Sequence, residues 1–461
     1  MKKISIVLVI LLSILLIVFF KKPPFATDPK PNIVLILVDD LGYADTGFTG
    51  SKDFKTPNID KLAYNGIIFT NGYASHAFCG PTRAGIMTGR NQHRFGFQFN
   101  PNWKNRLGLP EDEVTLPELL SEAGYHNVLV GKWHLGLLEN HHPLNRGFDE
   151  FFGFVNWGHD YFTSDPEDTH LNSGKRPLES NGTLVPVKGY LTDQLTDYAV
   201  DFIRQEKESP FFLYMAYNAP HTPLQASEEY LQRVANIEDP IRRVYAAMVI
   251  AVDDGVGRIT KALEDKGILN NTLIFFMSDN GGAPVAPANN APFRGMKGTV
   301  LEGGIHVPYV VYWNGKLSKG IFEKPVISYD FFATAAAVAG IDLPDDRKID
   351  AKNLLPYVKG EKSGAPHSHL FWQMGDVQWA VRSENKKAIN ISNEPTYLFD
   401  MQNDFRESKD LSHSTPQTLK SLEETFYQWR KELPEPVLKS HGASSEKQRK
   451  ALTDLRDTRN Q

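Results

Sequence analysis

From about residue 31 to 345, short apolar runs alternate with amphipathic helical patterns. The runs Ile33–Val38, Val128–Val130, Phe211–Met215 and Leu273–Met277 are evenly apolar and too short for surface helices, so they read as buried strands. Leu191, Leu195, Phe202 and Ile203 fall near one helical face, as do Val244, Met248, Ala251 and Val252. This alternation predicts an α/β fold over residues 32–345: a large mixed, mostly parallel sheet sandwiched by helices. Over residues 350–435 the segments become shorter and alternate, as in Gln378–Val381 and Lys387–Ile391. A helical period follows around Leu419–Leu433. That pattern predicts a smaller C-terminal subdomain of antiparallel sheet plus helix. Residues 436–461 carry few large apolar side chains and read as a polar tail, loose or helical.

The N-terminus has its own pattern. Met1, Lys2 and Lys3 precede an uncharged run from Ile4 to Phe20, followed by Lys21, Lys22 and two prolines. As a helix this run spans about 26 Å, a little short of the roughly 30 Å hydrocarbon core. Residues 1–22 therefore fit a signal peptide, or an uncleaved membrane anchor flanked by lysines. Either reading places the protein outside the cytoplasm (periplasmic, cell-surface or secreted) and makes the export machinery a partner.

Composition narrows the function. Fifty Lys+Arg stand against 55 Asp+Glu, a formal net charge of −5. A nucleic-acid surface would need a clear basic excess. Hydrophobic residues at 41% and charged residues at 23% are values of a globular chain rather than a disordered one. The single cysteine, Cys79, excludes an intramolecular disulfide framework and a cysteine-based zinc site.

Chemistry gathers where the apolar runs end. Ile33–Val38 ends in Asp39-Asp40, and Val128–Val130 runs into Gly131-Lys132-Trp133-His134. Phe211–Met215 leads to Ala219-Pro220-His221, and Leu273–Met277 to Ser278-Asp279-Asn280. Open α/β sheets bind ligands beyond the carboxyl ends of their strands. Asp39, Asp40, Asp279 and Asn280 offer only oxygen donors, and adjacent carboxylates repel without a cation between them. Hard divalent cations prefer such donors, with Ca²⁺ the first choice and Mg²⁺ the second. Cys79 precedes a predicted helix and stands four residues from Arg83, which together suit an anion. An isolated cysteine is ordinarily an inert core residue. The surrounding pattern favours a functional one here.

These residues resemble the type I sulfatases, the formylglycine-dependent branch of the alkaline phosphatase superfamily. C-G-P-T-R at 79–83 matches the family's C-x-P-x-R maturation motif, continued by A-G-I-M-T-G-R at 84–90. N-I-V-L-I-L-V-D-D-L-G at 32–42, G-K-W-H-L-G at 131–136, A-P-H-T-P at 219–223 and S-D-N-G-G at 278–282 are also similar to family blocks. R-G-M-K-G-T-V-L-E-G-G at 294–304 resembles the segment supplying a second active-site lysine. Y-L-F-D-M-Q-N-D at 397–404 resembles the segment closing the C-terminal subdomain. The likeness covers about residues 32–435, in the family's order.

The resemblance implies that a formylglycine-generating enzyme converts Cys79 to 3-oxoalanine (formylglycine), whose hydrate presents two hydroxyls. By matching position, Asp39, Asp40, Asp279, Asn280 and the modified Cys79 would bind Ca²⁺. Arg83 would hold the hydrate, and Lys132, Lys297 and the metal would grip sulfate oxygens. His134 would serve the formylglycine hydroxyl and His221 would protonate the leaving sugar oxygen. Two departures stand out: Gly80 replaces a frequent serine or threonine, and His306 replaces the arginine of E-G-G-x-R-V-P, a change that bears on packing.

The expected substrate is a sulfated carbohydrate, a polysaccharide or an oligosaccharide derived from it, with inorganic sulfate released. Loops around the pocket would set selectivity. His141, His142 and Arg146, and Trp157, His159 and Asp160 on a nearby loop, are candidates to contact a sugar ring or acidic polymer. Ordinary loop packing is the competing reading for each. A phosphodiesterase or phosphonate hydrolase, and a silent sugar-binding protein on the same fold, are the rival functions. The intact cysteine, lysines and histidines count against the silent protein.

Overall fold

The computed structural model describes residues 29–461 apart from 103, 105, 172, 206–207, 393, 439–444 and 461. The N-terminal segment 1–22 lies outside the described residues. Among those described, no helix is long and apolar enough to cross a membrane.

The central strands are β1 (Asn32–Val38), β4 (His126–Lys132), β5 (Glu150–Phe154), β8 (Phe211–Tyr217) and β9 (Thr272–Ser278). They lie parallel in the spatial order β9-β1-β8-β4-β5. Short strands extend both edges. β2 (Ile67–Phe69), β10 (Tyr309–Tyr312) and β11 (Gly320–Phe322) follow β9, while β6 (Leu178–Ser180) and β7 (Thr183–Val185) follow β5. The result is one mixed ten-stranded sheet. A two-stranded ladder joins β3 (Gly72–Tyr73) to β12 (Val326–Ile327).

The evenly apolar runs follow from burial on both faces. Along β1, Ile33, Leu35 and Leu37 enter one core, and Val34, Ile36 and Val38 enter the other. The first core is covered by helices Cys79–Thr88, Leu116–Glu122 and Asp330–Ala339. The second is covered by Pro57–Asn65, Leu191–Arg204 and Pro240–Asp265.

The C-terminal part forms an antiparallel sheet of β13 (Leu370–Met374), β14 (Gln378–Arg382), β15 (Lys386–Ile391) and β16 (Tyr397–Asp400). Helix Pro416–Arg430 lays Leu422, Phe426 and Trp429 on it, with the Trp379 and Phe426 rings stacked 4.1 Å apart. A buried ionic knot joins this sheet to β3 and to the short helix Glu302–Ile305. Lys387 Nζ lies 2.7 Å from both Glu302 Oε1 and Glu407 Oε1, and the Tyr73 hydroxyl donates to Glu302 Oε2 at 2.7 Å. His306 belongs to the same knot: Nδ1 is 2.8 Å from Glu302 Oε2, and its ring stacks on Phe293 at 4.2 Å. The departure at this position is thus absorbed in packing behind the site.

Candidate active site

Strand register assembles the site. Val38 is level with Ser278 and with Tyr217, so the next residues of β1 and β9, Asp39 and Asp279, emerge side by side. Lys132 ends β4, beside β8. Cys79 is the first residue of a helix buried along its whole length, and Phe78 is its N-cap. The site backbone is held in a rarely populated conformation at two places, with φ of 61° at Asp40 and 62° at His134. Such left-handed residues persist where the surroundings over-determine them, and they concentrate at functional sites.

Asp39, Asp40, Cys79, Arg83, Lys132, His134, His221, Asp279, Asn280 and Lys297 are all buried. Lys132 Nζ is 2.5 Å from Asp39 Oδ2, and Lys297 Nζ is 2.6 Å from Asp40 Oδ1 and 3.9 Å from Cys79 Sγ. Arg83 donates from Nε and Nη2 to Asp279 Oδ2 at 2.9 and 2.8 Å, and from Nη1 to the Lys132 carbonyl at 2.8 Å. Asn280 Nδ2 donates to Asp40 Oδ1 at 2.7 Å. His221 Nε2 stands 3.7 Å from Asp40 Oδ2, while Nδ1 is 2.7 Å from the Thr222 carbonyl. The structure therefore brings every expected catalytic and metal-ligating residue into one cluster.

The donor set suits a cation. Ligand atoms of Asp39, Cys79 and Asp279 lie within 4.8 Å of one another, as do those of Asp39, Asp40 and His221. Among the described residues, Asp39 Oδ1 and Asn280 Oδ1 are buried oxygens with no hydrogen-bond partner. Buried polar atoms are seldom left unpaired. A hard cation among these oxygens would satisfy both.

Charge is distributed unevenly. Burial opposes ionisation of Asp40, but Lys297 and His221 outweigh it and hold its pKa at about 2. Burial and the Asp39 carboxylate raise Asp279 to about 6, against the pull of Arg83. Burial raises the Cys79 thiol, with Lys132 and Lys297 opposing. Burial lowers His221 to about 3, although Asp40 favours its proton. His134 falls well below its ordinary range, by burial and by the charges of Lys132 and Arg83. Both its ring nitrogens are buried and have no partner among the described residues. The downward shift favours its neutral form.

The loop candidates are placed less uniformly. Arg146 donates to Glu118 Oε1 and to the Leu109 and Glu113 carbonyls. His142 Nε2 lies 2.7 Å from Glu179 Oε2. The His159 ring nitrogens lie 2.6 Å from the Asp160 and Arg176 carbonyls. Asp160 accepts from Phe162 N, Thr163 N and Gln225 Nε2. His141 is buried, and its ring fills the space beside Gly108 and Gly136. Trp157 differs: it is 38% exposed with its ring 5.7 Å from that of His221. Of the six, it alone combines exposure with contact to the cluster.

One neighbour was not apparent from the sequence. Asn100 Oδ1 accepts from Gly80 N at 3.0 Å and lies 3.8 Å from Cys79 Sγ. A Cβ at position 80 would come within 2.7 Å of that oxygen. Glycine there lets the Asn100 loop close over the cysteine. Asn100 has no motif of its own, and the unusual Gly80 was the available signal.

The Sulfatase family model matches residues 31–341. The N-acetylgalactosamine-6-sulfatase of Homo sapiens is 37% identical over 382 residues, covering 78% of this chain and 71% of its own length. The uncharacterized sulfatase YdeN of Escherichia coli (strain K12) is 36% identical over 414 residues, with the same two coverages. The crystal structure of Ps i-CgsB is 39% identical, covers 93% of this chain and 99% of that one, and superposes with a TM-score of 0.86. That protein was also solved in complex with k-i-k-neocarrahexaose. With this match over most of its length, the chain belongs to the sulfatase family and is a sulfuric ester hydrolase.

Proposed function

We propose that this sulfatase removes sulfate from a sulfated carbohydrate, using formylglycine made from Cys79 and a Ca²⁺ ion held by Asp39, Asp40, Asp279 and Asn280. The observation that carries this reading is the cluster itself: two lysines and an arginine paired with three carboxylates around one buried cysteine. When present, the hydrated aldehyde would supply a nucleophilic oxygen, and a cation held by Asp39, Asp40, Asp279 and Asn280 would supply Lewis-acid stabilisation of negative charge.

The chain's own groups do the rest. Arg83, fixed by Asp279 and the Lys132 carbonyl, places its positive charge near residue 79. Lys132 and Lys297 offer ammonium protons to the sulfate oxygens as charge builds on them. His134 takes a proton from the residue-79 hydroxyl once the bound sulfate offsets the Lys132 and Arg83 charges that hold its proton affinity down. His221 gives a proton to the departing sugar oxygen. Its low proton affinity at rest means that the negative sulfate ester must raise it on binding. The exposed Trp157 face beside His221 offers a surface for the leaving sugar ring.

The carbohydrate assignment draws on the relatives, one named an N-acetylgalactosamine-6-sulfatase and one solved with k-i-k-neocarrahexaose. Export follows from the Met1–Phe20 pattern. The test is a panel of sulfated oligosaccharides and aryl esters, with products read by mass and NMR. Sulfate release from sugars supports the proposal. Phosphate release instead, or sugar binding without hydrolysis, would replace it.

A further inference from the structure

The loop that carries Lys297 is gripped from outside by two buried glutamines. The Lys297 amide donates to the Gly282 carbonyl at 3.1 Å, and its carbonyl accepts from Gln448 Nε2 at 2.6 Å. Next along the loop, the Gly298 amide donates to the Ala77 carbonyl at 2.9 Å, and its carbonyl accepts from Gln378 Nε2 at 3.0 Å. Gln378 also accepts from Val300 N at 3.1 Å. Gln378 is 1% exposed and Gln448 3%. Gly298, at φ 84°, admits this approach, since a Cβ there would lie 2.1 Å from Gln448 Nε2.

Gln448 comes from the polar tail. It is the third residue of helix Glu446–Thr453, where it completes a capping box: its Oε1 accepts from Ser445 N at 2.8 Å, and its own amide donates to Ser445 Oγ at 3.2 Å. Leu452 and Leu455 anchor this segment in the main core, and Arg294 at the loop's start donates to the Asp454 carbonyl at 3.0 Å. The tail is thereby built into the wall behind Lys297. A lysine on four rotatable carbons reaches a fixed point only if its backbone is fixed.

We propose that Gln448 is a positioning residue for Lys297, so that the C-terminal helix, together with Gln378, sets where the sulfate-gripping ammonium stands. This rests on the sulfatase chemistry proposed above.

Gln448→Glu removes the donor while keeping the cap. A carboxylate still accepts from Ser445 N and is favoured at a helix start, so the cap survives. It has no proton to give the Lys297 carbonyl. Gln448→Ala removes donor and cap together, without adding charge. With formylglycine conversion and Ca²⁺ content matched by mass and metal analysis, both variants should lose about tenfold or more in kcat on aryl and sugar sulfates alike, the range typical of residues that orient a reacting group. A carboxylate buried against a carbonyl also lowers Tm in Gln448→Glu, so both losses should persist at temperatures where each variant is fully folded. Calorimetric binding of inorganic sulfate should weaken in parallel, a readout independent of turnover. Wild-type kcat in both variants, or losses that only track a lowered Tm, would overturn the proposal. A wild-type enzyme that binds sulfate but hydrolyses no ester would refute the proposed function instead, and sulfate affinity would still test the clamp.

Discussion

Lys132 Nζ rests 2.5 Å from Asp39 Oδ2, both side chains fully buried, while Asp39 Oδ1 has no partner among the described residues. One carboxylate thus faces an ammonium on one side and the proposed cation on the other. Removing one member of a buried pair typically costs about 3–5 kcal/mol, because the remaining charge is uncompensated. Lys132→Ala should therefore melt well below wild type in chelator, and Ca²⁺ should raise its Tm by more than it raises that of wild type. Asp39→Ala and Asp279→Ala should lose the Ca²⁺ response and turnover together. Equal Ca²⁺ shifts in Lys132→Ala and wild type would show that no cation shares Asp39.

The two histidines should separate by leaving group. Phenolates leave without much help, whereas sugar alkoxides need a proton, and general acid catalysis is worth about 10²–10⁴ in rate. His221→Ala should damage sugar-sulfate cleavage far more than activated aryl-sulfate cleavage, and His134→Ala should impair both. Parallel losses on the two substrates for His221→Ala would remove its role as the acid.

Residue 79 has a sharper test. Cys79→Ser keeps one hydroxyl beside Arg83, Lys132 and Lys297, so slow sulfur transfer remains possible, but no second hydroxyl exists to expel sulfate afterwards. Intact mass should show one sulfate added to Cys79→Ser on long incubation, with no sustained turnover, and none on Cys79→Ala. Repeated turnovers by Cys79→Ser would mean that water attacks sulfur directly.

The ionic knot around Lys387 makes a pH prediction. Burial raises the Glu407 carboxyl from 4.5 to about 7, although Lys387 opposes this. Between those values the folded chain keeps a proton that the unfolded chain releases. This contribution to stability is full below pH 4.5 and is lost as pH rises through 7. Glu302 acts in the opposite sense: Lys387 and His306 overcome its burial and hold it well below the usual range, so its contribution is lost only in strong acid. Urea midpoints measured from pH 4.5 to 8 should fall less steeply in Glu407→Gln than in wild type. Identical slopes would show that Glu407 titrates normally.

What could be read in advance followed from periodicity and strand ends. The central strands stood out because burial on both faces leaves them no polar positions, and Asp39 and Asp279 were legible as the residues where two such runs stop. Lys297 was different. It arrives on an irregular loop, so only the R-G-M-K-G likeness located it. In the small sheet, the alternation of Gln378–Val381 and Lys387–Ile391 marked β14 and β15, whereas β13 carries Phe371 and Trp372 in succession and shows no such pattern. Gln448 was illegible for a physical reason. A glutamine between lysines and arginines looks the same whether it meets water or a carbonyl, and only the folded chain shows which.

The cysteine's setting also dictates a timetable. Cys79 is 1% exposed, opens a helix with no solvent-facing side and lies under the Asn100 loop. A separate enzyme cannot take that stretch into its own cleft once the sheet and its helices have closed around it. On the proposed chemistry, oxidation of the thiol must come before folding, while 79–83 is still extended peptide. A chain that folds too early is then committed to inactivity while being structurally sound. The yield of active enzyme in a given host would be decided by a race between maturation and collapse rather than by stability.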